Sequence, residues 1–204
     1  IILPPAGGYG VGMAFLPTIL SARNTIEEWT EQIIHEEGQI FLGWRDVPHN
    51  SSRIGRVARS AEPEFKQLFV GRGQDTPPEI FERKLYVIRK RLYNKVQSST
   101  LEQKHYYYFC SLSSRTIVYK GQLMAEQLDG FFSDLANASM VSALALIHSR
   151  YSTNTFPTWA LAHPFRMVAH NGEINTLRGN INWMNAREKQ FSAPVFGAEI
   201  DKTL

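Results

Sequence analysis

Two polar clusters in the last third of the chain contain the side chains best suited to chemistry. HSRYSTNT, residues 148–155, follows the apolar run ALALI, and HNGEINT, residues 170–176, follows the apolar run FRMVA. Each run predicts a buried strand that ends in its polar cluster. If the two strands are neighbours, both clusters open at the same edge of a sheet. The sequence therefore predicts one polar site assembled from two strand ends.

The two clusters suit the two ends of a small ligand. The planar guanidinium of Arg150 can hold a carboxylate by two parallel hydrogen bonds, and Thr153 and Asn154 add hydroxyl and amide groups. In the second cluster the main-chain N–H of Gly172 and the side-chain amide of Asn171 can point at one oxygen. Glutamine is such a ligand, because it has a carboxylate at one end and a polarised carbonyl at the other. The alternative is that both clusters are ordinary loop residues.

The single cysteine and the histidines give weaker evidence of a functional site. Cys110 could be a thiol nucleophile with a histidine as its base. It lies within the strand-like run YYYFCSL, so we predict a buried residue that behaves as a small hydrophobe. A single cysteine excludes an internal disulfide framework and suits a reducing compartment. The six histidines form no HxH or HExxH pair, so we predict no metal site in this chain.

A basic stretch could indicate a nucleic-acid surface. Residues 83–95, RKLYVIRKRLYNK, contain six Lys or Arg, two Tyr and no acidic residue. The same region carries an apolar stripe at helical spacing, formed by Phe81, Leu85, Ile88, Leu92 and Val96. We therefore predict an outer helix that packs through this stripe, has exposed cations and binds no nucleic acid.

Neither a secretory signal nor a membrane span is visible in the sequence. The opening IILPPAGGYGVGMAFLP has no basic region and is interrupted by Pro and Gly. No apolar run approaches the roughly 20 residues that a membrane helix needs. We expect a cytoplasmic protein with no membrane partner. Because the first residue is Ile, we also expect a processed product or a fragment.

The remaining pattern mixes strands and helices. The runs YGVGMAFLP, FLGWRDVP and FKQLFVG predict strands, and HYYYFCSL with RTIVYKG predicts a hairpin around Ser113 and Ser114. A capping box from Thr25 to Glu28 predicts a helix that Gly38 ends. MAEQLDGFFSDL and LRGNINWMNAREKQ predict two further helices. The order is neither a regular βαβ alternation nor all strands, so the predicted class is an α+β sandwich.

Long stretches of the chain resemble a known family. HSRYSTNTFPTWALAHPFRMVAHNGEINTLRGNINWMNARE is similar to the class II, N-terminal-nucleophile glutamine amidotransferase domain of the glutamate synthase large subunit. The resemblance continues through YGVGMAFLP, LGWRDVP, FERKLYVIRKR and FCSLSSRTIVYKG. It implies part of a four-layer αββα sandwich in which Arg150 binds the α-carboxylate of L-glutamine, and Asn171 and Gly172 form the oxyanion hole. STNTFPTW and GEINTLRGN argue against an asparagine or glucosamine-phosphate synthase.

The family also has two features that find no match in these 204 residues. In the family an N-terminal Cys followed by Gly attacks the amide, and an acidic residue holds the α-amino group. We therefore expect residues 1–204 to be a partial domain that is inactive alone. The alternative is a degenerate amidotransferase-like module kept for binding or assembly. The gene sequence upstream of Ile1 would discriminate between them.

For the whole enzyme the resemblance implies conversion of glutamine and 2-oxoglutarate to glutamate. It implies FMN and an iron–sulfur cluster in other domains, with no cofactor in this chain, because one cysteine cannot ligate a cluster that requires three or four. The implied partners are the remaining synthase domains and an electron-donating subunit or ferredoxin. The implied location is the plastid if the source is a plant or alga.

Overall fold

A four-stranded antiparallel sheet forms the centre of the structure. The computed structural model describes residues 1–151, 156–165, 168, 177–188 and 190–204. The strands are β1 (Tyr9–Leu16), β2 (Ile40–Asp46), β3 (Glu64–Gly71) and β4 (Tyr108–Ser113), in the order β2-β3-β1-β4. All neighbouring pairs are antiparallel. These four strands confirm the four predicted from YGVGMAFLP, FLGWRDVP, FKQLFVG and HYYYFCSL.

Two long helices, α1 (Leu20–Glu36) and α3 (Pro78–Ser98), cover one face of the sheet. The other described α-helices are α2 (Arg56–Ser60), α4 (Leu128–Phe131) and α5 (Leu177–Glu188). The apolar stripe of α3 is fully buried, as predicted, and packs with α1 against β1, β3 and β4. The approach is close, because a Cβ on Gly10 of β1 would lie 2.5 Å from a methyl of Leu85. One helical layer on one sheet confirms the α+β class.

The opposite face of the sheet is covered by aromatic side chains rather than by a long helix. Phe65 of β3 lies 5.6 Å from Phe131, 5.5 Å from Phe132 and 5.2 Å from Trp159, measured between ring centroids. These four rings belong to a second buried cluster that also contains Cys110. This layer brings the chain around Trp159 onto the sheet.

The start of α1 differs from the prediction. The helix begins at Leu20, so Thr25 lies inside it and donates to the carbonyl of Ser21 instead of capping. A distant residue holds the turn before the helix: the side-chain oxygen of Gln103 accepts hydrogen bonds from the backbone N–H groups of Thr18 and Ile19. The stop at Gly38 is confirmed, because α1 ends at Glu36 and Gly38 has a φ of 71°.

Three other predicted elements are wrong. Residues 115–121 form no strand, because hydrogen bonds to side chains replace a ladder there, including one from Val118 N–H to Ser111 Oγ. Residues 124–135 form α4 between two short 3₁₀ turns, and Phe131 and Phe132, where α4 ends, are both buried. Residues 142–151 form no strand. Only Phe165 and Val168, joined by an isolated bridge, are described in the other predicted strand, FRMVAH.

The cations of α3 are half-buried, which corrects the prediction that they are exposed. Glu37, at the end of α1, has a side chain with no exposed surface. It accepts hydrogen bonds from Arg91 at 2.7 Å, Lys84 at 3.1 Å and Lys202 at 3.0 Å. Lys84 also pairs with Glu199, and Arg91 with Glu36. The basic face of α3 therefore binds α1 and the C-terminal turn of the same chain.

None of the described helices is long and apolar enough to cross a membrane.

Replacing Glu37 with glutamine is expected to destabilise the fold by about 2 to 4 kcal/mol, because it leaves three partly buried cations without their shared partner. Burial raises the pKa of Glu37, but the hydrogen bonds from Lys202, Lys84 and Arg91 outweigh it and lower the pKa below its ordinary 4.5. The stabilisation is therefore present above pH 4.5 and is lost as the pH falls through the lower folded-state value.

Urea unfolding at neutral and acidic pH measures this difference. The matched control is Glu31→Gln on the same helix, since Glu31 is exposed and pairs only with His35 among the described residues. We expect that change to cost less than about 1 kcal/mol. Equal effects of the two substitutions at neutral pH would show that the Glu37 network does not stabilise the fold.

Candidate functional site

A small cavity of about 90 Å³ lies beside the first polar cluster. Its walls come from three parts of the chain: residues 119–128, residues 146–149, and His163 with Pro164. The rings of His148 and His163 stack with their centroids 4.4 Å apart. The segment that leads to Arg150 is therefore packed against the segment that leads toward Asn171.

Arg150 is exposed at the rim of this region. Its backbone N–H donates to Nδ1 of His148 at 3.2 Å, which turns the chain locally. Its guanidinium forms no ion pair with any carboxylate in the described part of the chain. An exposed guanidinium without such a pair is available to bind a carboxylate from outside the chain.

Tyr151, the next residue, fixes the chain beside Arg150. Its phenol lies 3.1 Å from the carbonyl of Gly121 and 3.1 Å from that of Thr158, with geometry to donate to either. Burial raises the pKa of Tyr151, so the phenol keeps its proton. Gly121 allows close packing here, because a Cβ at this position would lie 2.3 Å from the ring of Trp159.

Lys120 is a buried cation in the same region, with 2% of its surface exposed. Its ammonium donates to the carbonyls of Ala160 and Ala162, both at 2.8 Å. It also lies 4.5 Å from the ring centroids of Tyr108 and Phe165, in cation–π geometry. Burial lowers the pKa of Lys120 to about 8. Within the described ranges no carboxylate lies within ion-pair distance of this ammonium.

The neighbouring residue connects this region to the sheet. Tyr119 donates its phenol hydrogen to Asp134 at 2.8 Å and accepts a hydrogen bond from Gln67 of β3. Arg45 of β2 holds Asp134 by two hydrogen bonds of 2.8 and 2.7 Å. Hydrogen bonds from Arg45, then from Tyr119, lower the pKa of Asp134, which stays a carboxylate. Residues 119–121 are thus fixed to the sheet on one side and to Tyr151 and residues 159–162 on the other.

Of the predicted site residues, only Arg150 is described. Thr153, Asn154, Asn171 and Gly172 lie outside the described residues, so their roles stay predictions. Roles for Lys120 and Tyr151 were not predicted, although these side chains bind the described residues Thr158, Ala160 and Ala162. The available signal was a lysine in the otherwise apolar run TIVYKG.

Cys110 lies in the middle of β4, as predicted for a strand residue, with 1% of its surface exposed. Burial raises the pKa of its thiol to about 12, although the nearby Lys120 lowers it slightly. Since the thiolate is the nucleophilic form, Cys110 is chemically inert at neutral pH. Among the described residues, no group of three or more His, Cys, Asp or Glu side chains is placed to hold a metal ion.

Cys110→Ala is expected to leave the glutamine hydrolysis predicted from the sequence within about threefold of wild type, because an inert buried thiol takes no part in the chemistry. A thiol reagent is expected to label Cys110 only after unfolding. Mass spectrometry locates the label, and an amide-hydrolysis assay measures the rate. Loss of activity in a correctly folded Cys110→Ala protein would identify Cys110 as a nucleophile.

Comparison with known proteins identifies the family of this chain and agrees with the α+β fold. The sequence profile of the family "Glutamine amidotransferases class-II" matches residues 1–204. The chain belongs to this family.

The similar curated proteins are glutamate synthases. The chain is 53% identical over 205 residues to the glutamate synthase [NADPH] large chain of Bacillus subtilis, a match that covers 100% of this chain and 13% of that protein. It is 46% identical over 197 residues to the corresponding Azospirillum brasilense protein, covering 96% of this chain and 13% of the relative. It is 44% identical over 187 residues to the chloroplastic ferredoxin-dependent glutamate synthase of rice, covering 92% and 12%. The chain therefore spans about an eighth of the length of these relatives.

Proposed function

We propose that this chain is the glutamine-hydrolysing part of a glutamate synthase. The observation that carries the proposal is the 53% identity to a glutamate synthase large chain across all of this chain. The family membership supports a glutamine amide as the bond that is cleaved. The exposed guanidinium of Arg150 supports a substrate with a free carboxylate.

In the proposed reaction a thiolate attacks the side-chain carbonyl of glutamine. Arg150 holds the α-carboxylate, with Thr153 and Asn154 beside it, and Asn171 with Gly172 donates hydrogen bonds to the oxygen that becomes negative. Ammonia leaves, and water hydrolyses the thioester to glutamate. The attacking thiol is not Cys110, which is buried and protonated, so it belongs to another part of the protein.

In the whole protein the ammonia passes to a second site, where it converts 2-oxoglutarate to glutamate. FMN and an iron–sulfur cluster belong to other domains of the whole protein. The whole protein takes electrons from a partner subunit or ferredoxin. Its location is the cytoplasm or, in a plant or alga, the plastid. The names of the relatives specify NADPH in two cases and ferredoxin in the third, so these relatives differ in their electron source.

The test is an assay of the purified protein that contains this chain for release of glutamate and ammonia from glutamine. The proposal predicts equal amounts of the two products when 2-oxoglutarate is absent. Calorimetry is performed in parallel, because glutamine binding without turnover would support the degenerate binding module instead. Absence of both binding and turnover would contradict the assignment of glutamine as the substrate.

A further inference from the structure

A second cavity, of about 370 Å³, lies between α3 and the start of the edge strand β4. Residues 107–109 line it from the strand side, and α3 contributes Tyr86, Arg89, Lys90 and Tyr93. It shares no lining residue with the first cavity. Small-molecule sites in proteins have volumes of roughly 300 to 1,000 Å³, so this cavity is large enough for such a ligand.

The two cations of this cavity have no acidic partner in the part of the chain that the structure describes. There, no carboxylate lies within ion-pair distance of Arg89 or Lys90. Their neighbours on α3 differ, because Lys84 and Arg91 both pair with Glu37. Every described residue that lines the cavity is aromatic or basic. The cavity therefore favours a negatively charged ligand.

Two hydrogen-bond donors at the cavity are enclosed and unsatisfied. Nε of Arg89 and the hydroxyl of Tyr107 are shielded from solvent and have no hydrogen-bond partner among the described residues. Burial raises the pKa of Tyr107, so its phenol keeps its proton. An enclosed donor without an acceptor costs free energy. An anionic oxygen brought into the cavity offsets this cost for the donor that it meets, and the planar guanidinium suits a carboxylate or a phosphate.

The aromatic side chains give the cavity flat apolar walls. The guanidinium of Arg89 lies 5.3 Å from the ring centroid of Tyr86, and Nζ of Lys90 lies 5.8 Å from that of Tyr93. Each cation is therefore held beside a ring. Such rings also stack against planar rings of ligands. A molecule with both a ring and an oxyanion uses both kinds of group that line the cavity.

We propose that this cavity binds a small anionic ligand that carries an aromatic ring, with the oxyanion held by Arg89 and Lys90 and the ring against the tyrosines of α3 and β4. Phosphate and carboxylate groups both supply such an oxyanion. The site does not depend on the proposed function, because it uses neither Arg150 nor the predicted oxyanion hole.

The experiment measures acetylation of Lys90 in the complete protein, because this amine lies in the cavity and reports binding at that place alone. The protein is treated with a limiting amount of an amine-acetylating reagent, and mass spectrometry quantifies each labelled lysine. The probes are adenosine monophosphate, an aromatic phosphate, and indoleacetate, an aromatic carboxylate. At about ten times its Kd, at least one probe is expected to slow labelling of Lys90 about tenfold. Lys95, on the same helix but beside Trp29, should be labelled at an unchanged rate.

Two further molecules separate the charge from the ring. Adenosine has the ring without the phosphate, and inorganic phosphate has the charge without the ring. Each is expected to require a concentration about tenfold or more above that of adenosine monophosphate, because each lacks one of the two kinds of contact. Whichever of the two aromatic anions protects Lys90 at the lower concentration identifies the preferred oxyanion.

Arg89→Gln is expected to raise the concentration of probe needed for half-protection of Lys90 by about tenfold or more, because a hydrogen bond between charged groups is lost. Arg89→Lys should recover part of this loss. If Arg89→Gln does not fold, Tyr107→Phe removes one unsatisfied hydroxyl with little change of shape, and a smaller weakening is expected. Arg83→Gln, on the same helix but outside the cavity, is the matched control and should bind like wild type.

Four results would overturn the inference. These are failure of both aromatic anions to protect Lys90, equal protection by inorganic phosphate, and equal weakening in Arg83→Gln and Arg89→Gln. The fourth is a Lys90 that resists acetylation without any probe, which would show that another part of the protein covers the cavity. None of these measurements requires hydrolysis of glutamine, so they are independent of the test of the proposed function.

Discussion

Asn171→Ala is expected to lower kcat for glutamine hydrolysis by about 100- to 1,000-fold, which is the usual effect of removing one oxyanion-hole donor. The side-chain amide of Asn171 is proposed to donate to the oxygen only after it becomes negative. Removal of that donor therefore raises the barrier and leaves the binding of ground-state glutamine nearly unchanged. Steady-state kinetics with glutamine as the varied substrate measure the effect.

Asn185→Ala is the control for this variant. Asn185 is the same residue type, lies exposed on α5, and has no role in the proposed chemistry. It is expected to retain the wild-type kcat. A fall of less than about threefold in Asn171→Ala would remove Asn171 from the oxyanion hole, and an equal fall in both variants would indicate damage to α5 and its surroundings.

Arg150→Ala is expected to lower kcat/KM for glutamine by about 10- to 100-fold, mainly through KM, because hydrogen bonds to a charged partner are worth roughly 1.5 to 3 kcal/mol each. Arg150→Lys is expected to recover part of this loss, since lysine keeps the charge but cannot bind a carboxylate with two parallel hydrogen bonds. Arg115→Ala, which removes an exposed arginine just after β4, is the control and should have no effect.

A substrate without the α-carboxylate tests the same residue from the other side. Wild-type protein is expected to hydrolyse glutamine far better than γ-aminobutyramide, which lacks that carboxylate. Arg150→Ala should lose most of this preference, because the discriminating contact is gone. If the preference persists in the variant, another residue binds the carboxylate.

Local sequence pattern predicts the segments of the fold in which apolar residues recur at regular spacing or form a continuous run. The apolar stripe of α3 consists of five residues at helical spacing and is buried throughout. β1 is a continuous apolar run between Gly8 and Pro17. β3, which follows Pro63, mixes polar and apolar residues at its start and pairs with β1 along its whole length. In such segments the local sequence and the tertiary structure favour the same conformation.

The predictions that failed concern segments whose structure depends on contacts with residues far away in the sequence. Residues 116–120 have the composition of a strand, but Tyr119 and Lys120 bind partners 15 and 42 positions away. Strand propensity describes how a side chain fits a half-buried surface, and it contains no information about such partners. For the same reason the half-buried state of Lys84 and Arg91 was unpredictable, because Glu37 lies 47 and 54 positions earlier in the sequence.

The candidate site shows the same division. The motif around Arg150 and the family resemblance predict carboxylate binding from sequence, and this role stays a prediction. The buried arrangement of Lys120, Gly121 and Tyr151 required coordinates, because each of its contacts joins segments far apart in the chain.

The proposed role of this chain is tested most directly by comparing two nitrogen sources in one protein. Glutamate formation from 2-oxoglutarate is measured for wild type and Asn171→Ala, first with glutamine and then with free ammonia supplied in its place. We expect Asn171→Ala to lose glutamine-dependent synthesis and keep ammonia-dependent synthesis, because only the amide-hydrolysing site is damaged. Equal loss of both activities, or retention of both, would contradict the assignment of this chain as the glutamine-hydrolysing part.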